Sequence, residues 1–174
     1  MKGNSSEKIT FIEVIKTLVV AVLMSLIILQ FFKLNTVVGH SMDSTLYDGQ
    51  RLVLSLKAYE NKAPEYKDIV VVERDDLSVK YFIKRVIGVP GDTIEIKDNQ
   101  LYINGELINE DYINEPMVTE DLLIEVPEGK VFVMGDNRNH SLDSRNINVI
   151  GLIDYEEEIL GKAVFSLSTF EKID

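Results

Sequence analysis

Ser41 lies in the stretch GHSMDSTL (39–46), directly after a long apolar run. A serine hydroxyl becomes a nucleophile when a neighbouring group takes its proton. His40 is adjacent, but on an extended chain neighbouring side chains point to opposite faces, which places it badly. His140, in GDNRNHSLDSR (135–145), could approach with Asp143 to form a Ser41-His140-Asp143 triad. The preferred reading of both histidines is as solvent-facing loop residues. The third candidate is Lys84. In SVKYFIKRVI (78–87), period-two alternation puts Phe82, Lys84 and Val86 on one face, and Val79, Tyr81, Ile83 and Arg85 on the other. Apolar neighbours on its own face would bury the Lys84 amine, lower its pKa and make it a general base. Alternation alone still favours a lysine that buries its stem and keeps its head in water. Most of the other basic residues read as solvated charges.

These residues must be held by the rest of the chain. Residues 11–32, FIEVIKTLVVAVLMSLIILQFF, carry no charge from Thr17 to Phe32. As a helix, 22 residues span about 33 Å, enough for a hydrocarbon core of about 30 Å. Lys2, Lys8 and Lys16 precede the uncharged stretch. The positive-inside tendency then keeps residues 1–10 as a cytoplasmic tail and puts residues 33–174 outside. A cleaved signal peptide fits less well, because the run is long and leaves through FFKLNTVV without a small-x-small site. A buried core helix fits less well because the run is apolar all round and terminal.

Beyond the anchor, short β-rich runs dominate: RLVLSL (51–56), DIVVVE (68–73), SVKYFIKRVI (78–87), DTIEIK (92–97), QLYING (100–105), LLIEV (122–126), KVFVMG (130–135) and AVFSL (163–167). Asp98-Asn99 reads as a hairpin turn and Pro90-Gly91 as another turn. The pattern predicts a mainly β, compact antiparallel domain after a single N-terminal helix. The acidic stretch 106–121 has few β signals and reads as an exposed excursion.

Composition excludes several functions. There is no cysteine, so disulfides, thiolate catalysis and cysteine-ligated zinc are out. After Phe32 the balance is 15 Lys and Arg against 27 Asp and Glu, which argues against nucleic acid. Two histidines make a histidine-rich metal site a poor reading, and no metal or cofactor is expected.

Three blocks in order, SMDSTL (41–46), YFIKRVIGVPGD (81–92) and GDNRNHSLDSR (135–145), resemble type I signal peptidases of the smaller Gram-positive kind, and the likeness implies a reduced second subdomain over 93–130. DIVVV (68–72) resembles a further strand of that family. The likeness runs from the anchor to about residue 167. It implies a membrane-anchored Ser-Lys endopeptidase with a fold like that of the phage-repressor proteases. It makes Ser41 the nucleophile and Lys84 the general base. Ser141 falls on a lysine-orienting serine, and Asp143 and Arg145 on a pair that braces the site. Gly135 and Asp136 would shape the loop, and Met42, Thr45 and Leu46 would hold the nucleophile turn. Val37, Val38, Met42, Phe82 and Ile83 would wall a pocket for small side chains. The implied partners are secreted preproteins, the lipid bilayer and the neighbourhood of the export machinery.

The chain departs from the family at two places. Ser44 stands where proline is usual, which is expected to loosen the turn. Gly39 stands where some members place an oxyanion-binding serine, so the Ser41 N–H must carry more of that task. Three other readings compete. One is a self-cleaving repressor-like protein, which the anchor disfavours. The others are an inactive paralogue that binds signal peptides and an enzyme dedicated to one precursor.

Overall fold

The computed structural model describes residues 10–76 and 80–173. The expected tail (all but residue 10) and Ser78 and Val79 of the predicted strand lie outside the described residues.

Helix α1 (Phe11–Phe31) starts at Thr10 with a reciprocal cap: Thr10 Oγ1 accepts from the Glu13 N–H, and Glu13 accepts from the Thr10 N–H. None of its residues is buried, and it is long and apolar enough to cross a membrane. The hydroxyls of Thr17 and Ser25 donate to the Glu13 and Ala21 carbonyls, so neither offers an unpaired donor to lipid. The helix ends one residue earlier than expected. Phe32 already belongs to strand β1 (Phe32–Thr36), which pairs with β2 (Arg51–Ser55). β1 escaped the sequence reading because FKLNT has no clean alternation and continues an apolar run.

The remaining strands are β3 (Ile69–Glu73), β4 (Tyr81–Gly88), β5 (Thr93–Lys97), β6 (Gln100–Ile103), β7 (Glu106–Leu107), β8 (Leu122–Glu125), β9 (Lys130–Met134), β10 (Ile153–Asp154), β11 (Ile159–Ser166) and β12 (Glu171–Lys172). All pairings are antiparallel. The main sheet runs β1-β2-β11-β3-β4-β9-β10, with β12 beside β11; the small sheet runs β7-β6-β5-β8. The fold is therefore mainly antiparallel β after one apolar helix. Asp98 and Asn99 close the β5–β6 hairpin, both with positive φ, as a two-residue primed turn requires.

β3 is covered on both faces, which is why IVVV reads as a continuous apolar run. Ile69 and Val71 join Met42, Leu46, Leu52, Leu54 and Ile83 in one core. Val70 and Val72 join Val86, Val131 and Val133 in another. A third core lies under the small sheet, where Ile94, Ile96 and Leu101 meet Phe132 and Met134.

The 106–121 stretch differs from expectation. It is not an exposed excursion throughout: Met117 is buried in the third core, and the Glu110 carboxylate is buried against Arg138. Polar composition hid this, because Met117 is a lone buried apolar residue in an acidic stretch and Glu110 is a charge paired with a distant arginine.

Candidate active site

Ser41 sits on a tight turn between β1 and β2. The Asp43 N–H donates to the His40 carbonyl, and the Thr45 and Leu46 N–H groups donate to that of Met42. Met42 and Leu46, each 2% exposed, pin the turn into the first core. From the other side, Asn137 clamps it: its backbone N–H donates to the Ser41 carbonyl at 3.0 Å, and its amide to the His40 carbonyl at 2.9 Å.

Lys84 comes from the middle of β4, with β3 on one side and β9 next on the other. It is 3% exposed. The lysine is buried to its amine, so the reading of an emerging head does not hold. Lys84 Nζ donates to Ser41 Oγ at 2.8 Å and to the Ile83 carbonyl at 3.1 Å. Burial pulls its pKa down to about 8; the charges of Asp143 and Asp136 oppose the shift and that of Arg145 adds to it.

Asp143, fully buried, accepts from the Gly135 N–H at 3.0 Å and from Arg145 Nε and Nη2 at 2.8 and 2.9 Å. Arg145 Nη2 also donates to the Arg138 carbonyl. The pair thus ties the end of β9 to the loop 135–145. Ser141 departs from expectation. Its Oγ is buried and has no hydrogen-bond partner among the described residues, so it does not bond Lys84. It packs instead against Gly135, where an added Cβ would lie 2.3 Å from Ser141 Oγ and 2.4 Å from the Ser41 carbonyl oxygen.

Beside the Ser41–Lys84 pair lies a cleft of about 360 Å³. Val37, Val38, Met42, Phe82 and Ile83 line it, along with Tyr81, Leu142, Val149 and Ile150, which the sequence reading did not single out. His140 lies at this cleft but is exposed, and it makes no side-chain hydrogen bond to Ser41 or Asp143 among the described residues. His40 is exposed and paired with Asp43 at 3.1 Å. The serine-histidine arrangement is not assembled. No cluster of His, Cys, Asp or Glu able to hold a metal ion occurs among the described residues.

Both departures from the family have structural consequences. The Gly39 N–H donates to Asp48 at 2.8 Å, while the Ser41 N–H has no acceptor among the described residues. Ser44 does not loosen the turn as expected. It sits at φ +90°, which proline cannot reach, and its hydroxyl donates to the Tyr112 carbonyl at 2.5 Å.

Two arginines depart from the solvated-charge reading. Arg85 forms a two-pronged pair with Asp136 at 2.9 and 2.7 Å, with the Thr45 hydroxyl donating to the same carboxylate. Arg138 forms another with Glu110. Arg85 shares its face of β4 with Ile83, and that alternation is a signal that could have marked it as buried.

A model of the family described as signal peptidase, peptidase S26, matches residues 11–168. The chain belongs to this family. It is therefore a serine peptidase, a hydrolase. A signal peptidase I of Bacillus licheniformis is 40% identical, with 98% of this chain and 95% of the relative covered. Signal peptidase I T of Bacillus subtilis is 39% identical over 94% of this chain and 89% of its own. The crystal structure of a signal peptidase I from Enterococcus faecalis V583 superposes with a TM-score of 0.50 at 34% identity. It covers 59% of this S26 chain and 98% of its own length.

Proposed function

We propose that this signal peptidase removes signal peptides from exported preproteins with a Ser41/Lys84 dyad, cutting after small-x-small sequences. The observation that carries the reading is the 2.8 Å line between a buried lysine amine and a serine oxygen beside an apolar cleft. With the amine neutral, the same line runs in reverse: the Ser41 hydroxyl donates to the Nζ lone pair. As Ser41 Oγ bonds to the scissile carbonyl carbon, its proton passes to Lys84. The Ser41 N–H receives the oxyanion. The Lys84 ammonium then protonates the leaving amine, and the C–N bond breaks to give an acyl-Ser41 ester. Water, losing its proton to Lys84, hydrolyses the ester and restores the serine.

Asp143 and Arg145 brace the loop that carries Ser141 and Asn137. Val38, Met42, Phe82 and Ile83 admit alanine-sized side chains and exclude larger ones, a discrimination of about 10- to 200-fold per methylene-sized difference. Residues 33–174 act outside the cell membrane, and α1 anchors them with residues 1–10 in the cytoplasm. The anchor holds enzyme and membrane-inserted substrate in one plane, which raises their effective concentration. The preprotein passes from the export machinery to this site.

The test is preprotein cleavage in detergent micelles by wild type, Ser41→Ala and Lys84→Ala. Cleavage after a small residue, lost in both variants, supports the dyad. Cleavage that survives Lys84→Ala rejects the lysine base. An intact preprotein that still binds wild type supports the inactive, signal-peptide-binding alternative.

A further inference from the structure

The segment between β7 and β8 crosses from the small sheet to the back of the Ser41 turn, and it does so at Tyr112. Three contacts converge there. The Ser44 hydroxyl donates to the Tyr112 carbonyl. The Tyr112 ring lies 4.2 Å from the Arg85 guanidinium carbon, and Arg85 holds Asp136, which receives the Thr45 hydroxyl. The Tyr112 hydroxyl donates to Glu110, whose carboxylate pairs with Arg138, with the two side chains 5% and 0% exposed. Arg138 Nε donates to the Gly135 carbonyl at 3.1 Å, beside the Ser41 backbone.

We infer that residues 110–112 form a positioning strap for the nucleophile, with Ser44, Tyr112 and Glu110 as positioning residues. The inference rests on the reading of Ser41 as nucleophile.

Two physical arguments carry it. First, Ser44 is a non-glycine residue at φ +90°, a conformation that side chains rarely adopt and that persists only where surrounding contacts enforce it. The Tyr112 carbonyl supplies such a contact through the Ser44 hydroxyl. Second, the buried Glu110–Arg138 pair holds only if both partners stay in place, because removing one leaves an uncompensated buried charge. The strap therefore has one fixed seat. Its two branches end on the two chain segments that enclose Ser41: residues 44–45 on the turn and residues 135–136 behind it. Neither Ser44 nor Tyr112 lines the apolar cleft. The strap acts on where Ser41 Oγ points, not on substrate binding.

The test uses the full-length enzyme in detergent, with Ser44→Gly as the main variant. Glycine accepts φ +90° without strain, so the variant folds, and only the hydroxyl anchor is lost. Expected is a fall in kcat of about 10-fold with KM unchanged, since a misplacement of about 1 Å costs up to about 100-fold. Ser44→Asn, which tolerates positive φ and restores a side-chain donor, should recover part of the loss. Tyr112→Phe keeps the ring and the carbonyl but removes the hydroxyl that ties Tyr112 to Glu110; it should lower kcat by the same route, so Ser44→Gly/Tyr112→Phe should lose less than the product of the two single losses. Wild-type kcat in Ser44→Gly, a loss confined to KM, or strictly multiplicative losses would each overturn the strap. Ser41→Ala is run alongside. Activity in that variant rejects the nucleophile assignment, whereas an inactive Ser41→Ala beside a fully active Ser44→Gly rejects the strap alone.

Discussion

Lys84 Nζ stands 2.8 Å from Ser41 Oγ, and its only other hydrogen bond among the described residues goes to the Ile83 carbonyl at 3.1 Å. Among the described residues no carboxylate touches the amine. The acids nearby, Asp136 and Asp143, are each occupied by an arginine. The lysine is thus buried without a counter-ion in contact, which is the arrangement that favours its neutral form.

The pH dependence of cleavage follows from this. If neutral Lys84 is the base, the active fraction grows as the amine loses its proton. kcat/KM should rise about tenfold per pH unit below about pH 8 and level off above it. A profile already flat from pH 6 to 9 would mean that Lys84 does not limit the reaction. Lys84→Arg should be inactive throughout, because a guanidinium cannot give up its proton in this range.

The same burial costs stability. The unfolded lysine titrates near 10.5 and the folded one near 8, so between these values the unfolded chain binds more protons. Stability therefore rises with pH across that window and carries the full penalty below it. The cost below pH 8 is on the order of 3 kcal/mol. Lys84→Met, similar in volume and uncharged, should unfold at a higher temperature than wild type at pH 7, measured by calorimetry or circular dichroism. The advantage should shrink from pH 8 towards pH 10. An advantage independent of pH would assign it to packing instead of charge.

Ser41 and Lys84 were singled out by the three-block resemblance, because alternation alone favoured a lysine with its head in water; the fold brings the two side chains to 2.8 Å. The hairpin at Asp98-Asn99 and strand β3 were legible in the sequence because local chemistry decides them. The buried ion pairs were not. Arg85–Asp136 spans 51 positions and Arg138–Glu110 spans 28, and a charge that will be neutralised by a distant partner looks like any solvated charge. Ser44 misled in the opposite direction. Its loss of proline rigidity was apparent, but the partner that replaces it, the Tyr112 carbonyl, lies 68 positions away.

Arg85–Asp136 offers a direct test of what those distant pairs do. Both side chains are buried, 3% and 0% exposed, and the carboxylate also receives the Thr45 hydroxyl. Asp136→Asn keeps the shape but leaves the Arg85 charge uncompensated. It should destabilise the domain by about 3 to 5 kcal/mol, read as a lowered midpoint in urea. Loss of activity with an unchanged midpoint would mean that the pair serves the reaction and not the fold.

Gly135 sets a tighter constraint. An alanine Cβ there would lie 2.3 Å from Ser141 Oγ and 2.4 Å from the Ser41 carbonyl oxygen. The first clash involves a side chain that makes no hydrogen bond among the described residues, so it can be relieved by Ser141→Gly. The second involves the backbone of Ser41, itself held by the Asn137 N–H at 3.0 Å, and relief requires the Ser41 turn to move. Gly135→Ala should therefore lower kcat by about 100-fold or more, in line with the cost of displacing a reacting group by about 1 Å. Gly135→Ala/Ser141→Gly should remain as impaired as Gly135→Ala. Recovery in the double variant would show that Ser141 crowding was the whole effect and that the Ser41 backbone tolerates a neighbour at position 135. Single-turnover cleavage of a preprotein, with folding checked by circular dichroism, separates the two results.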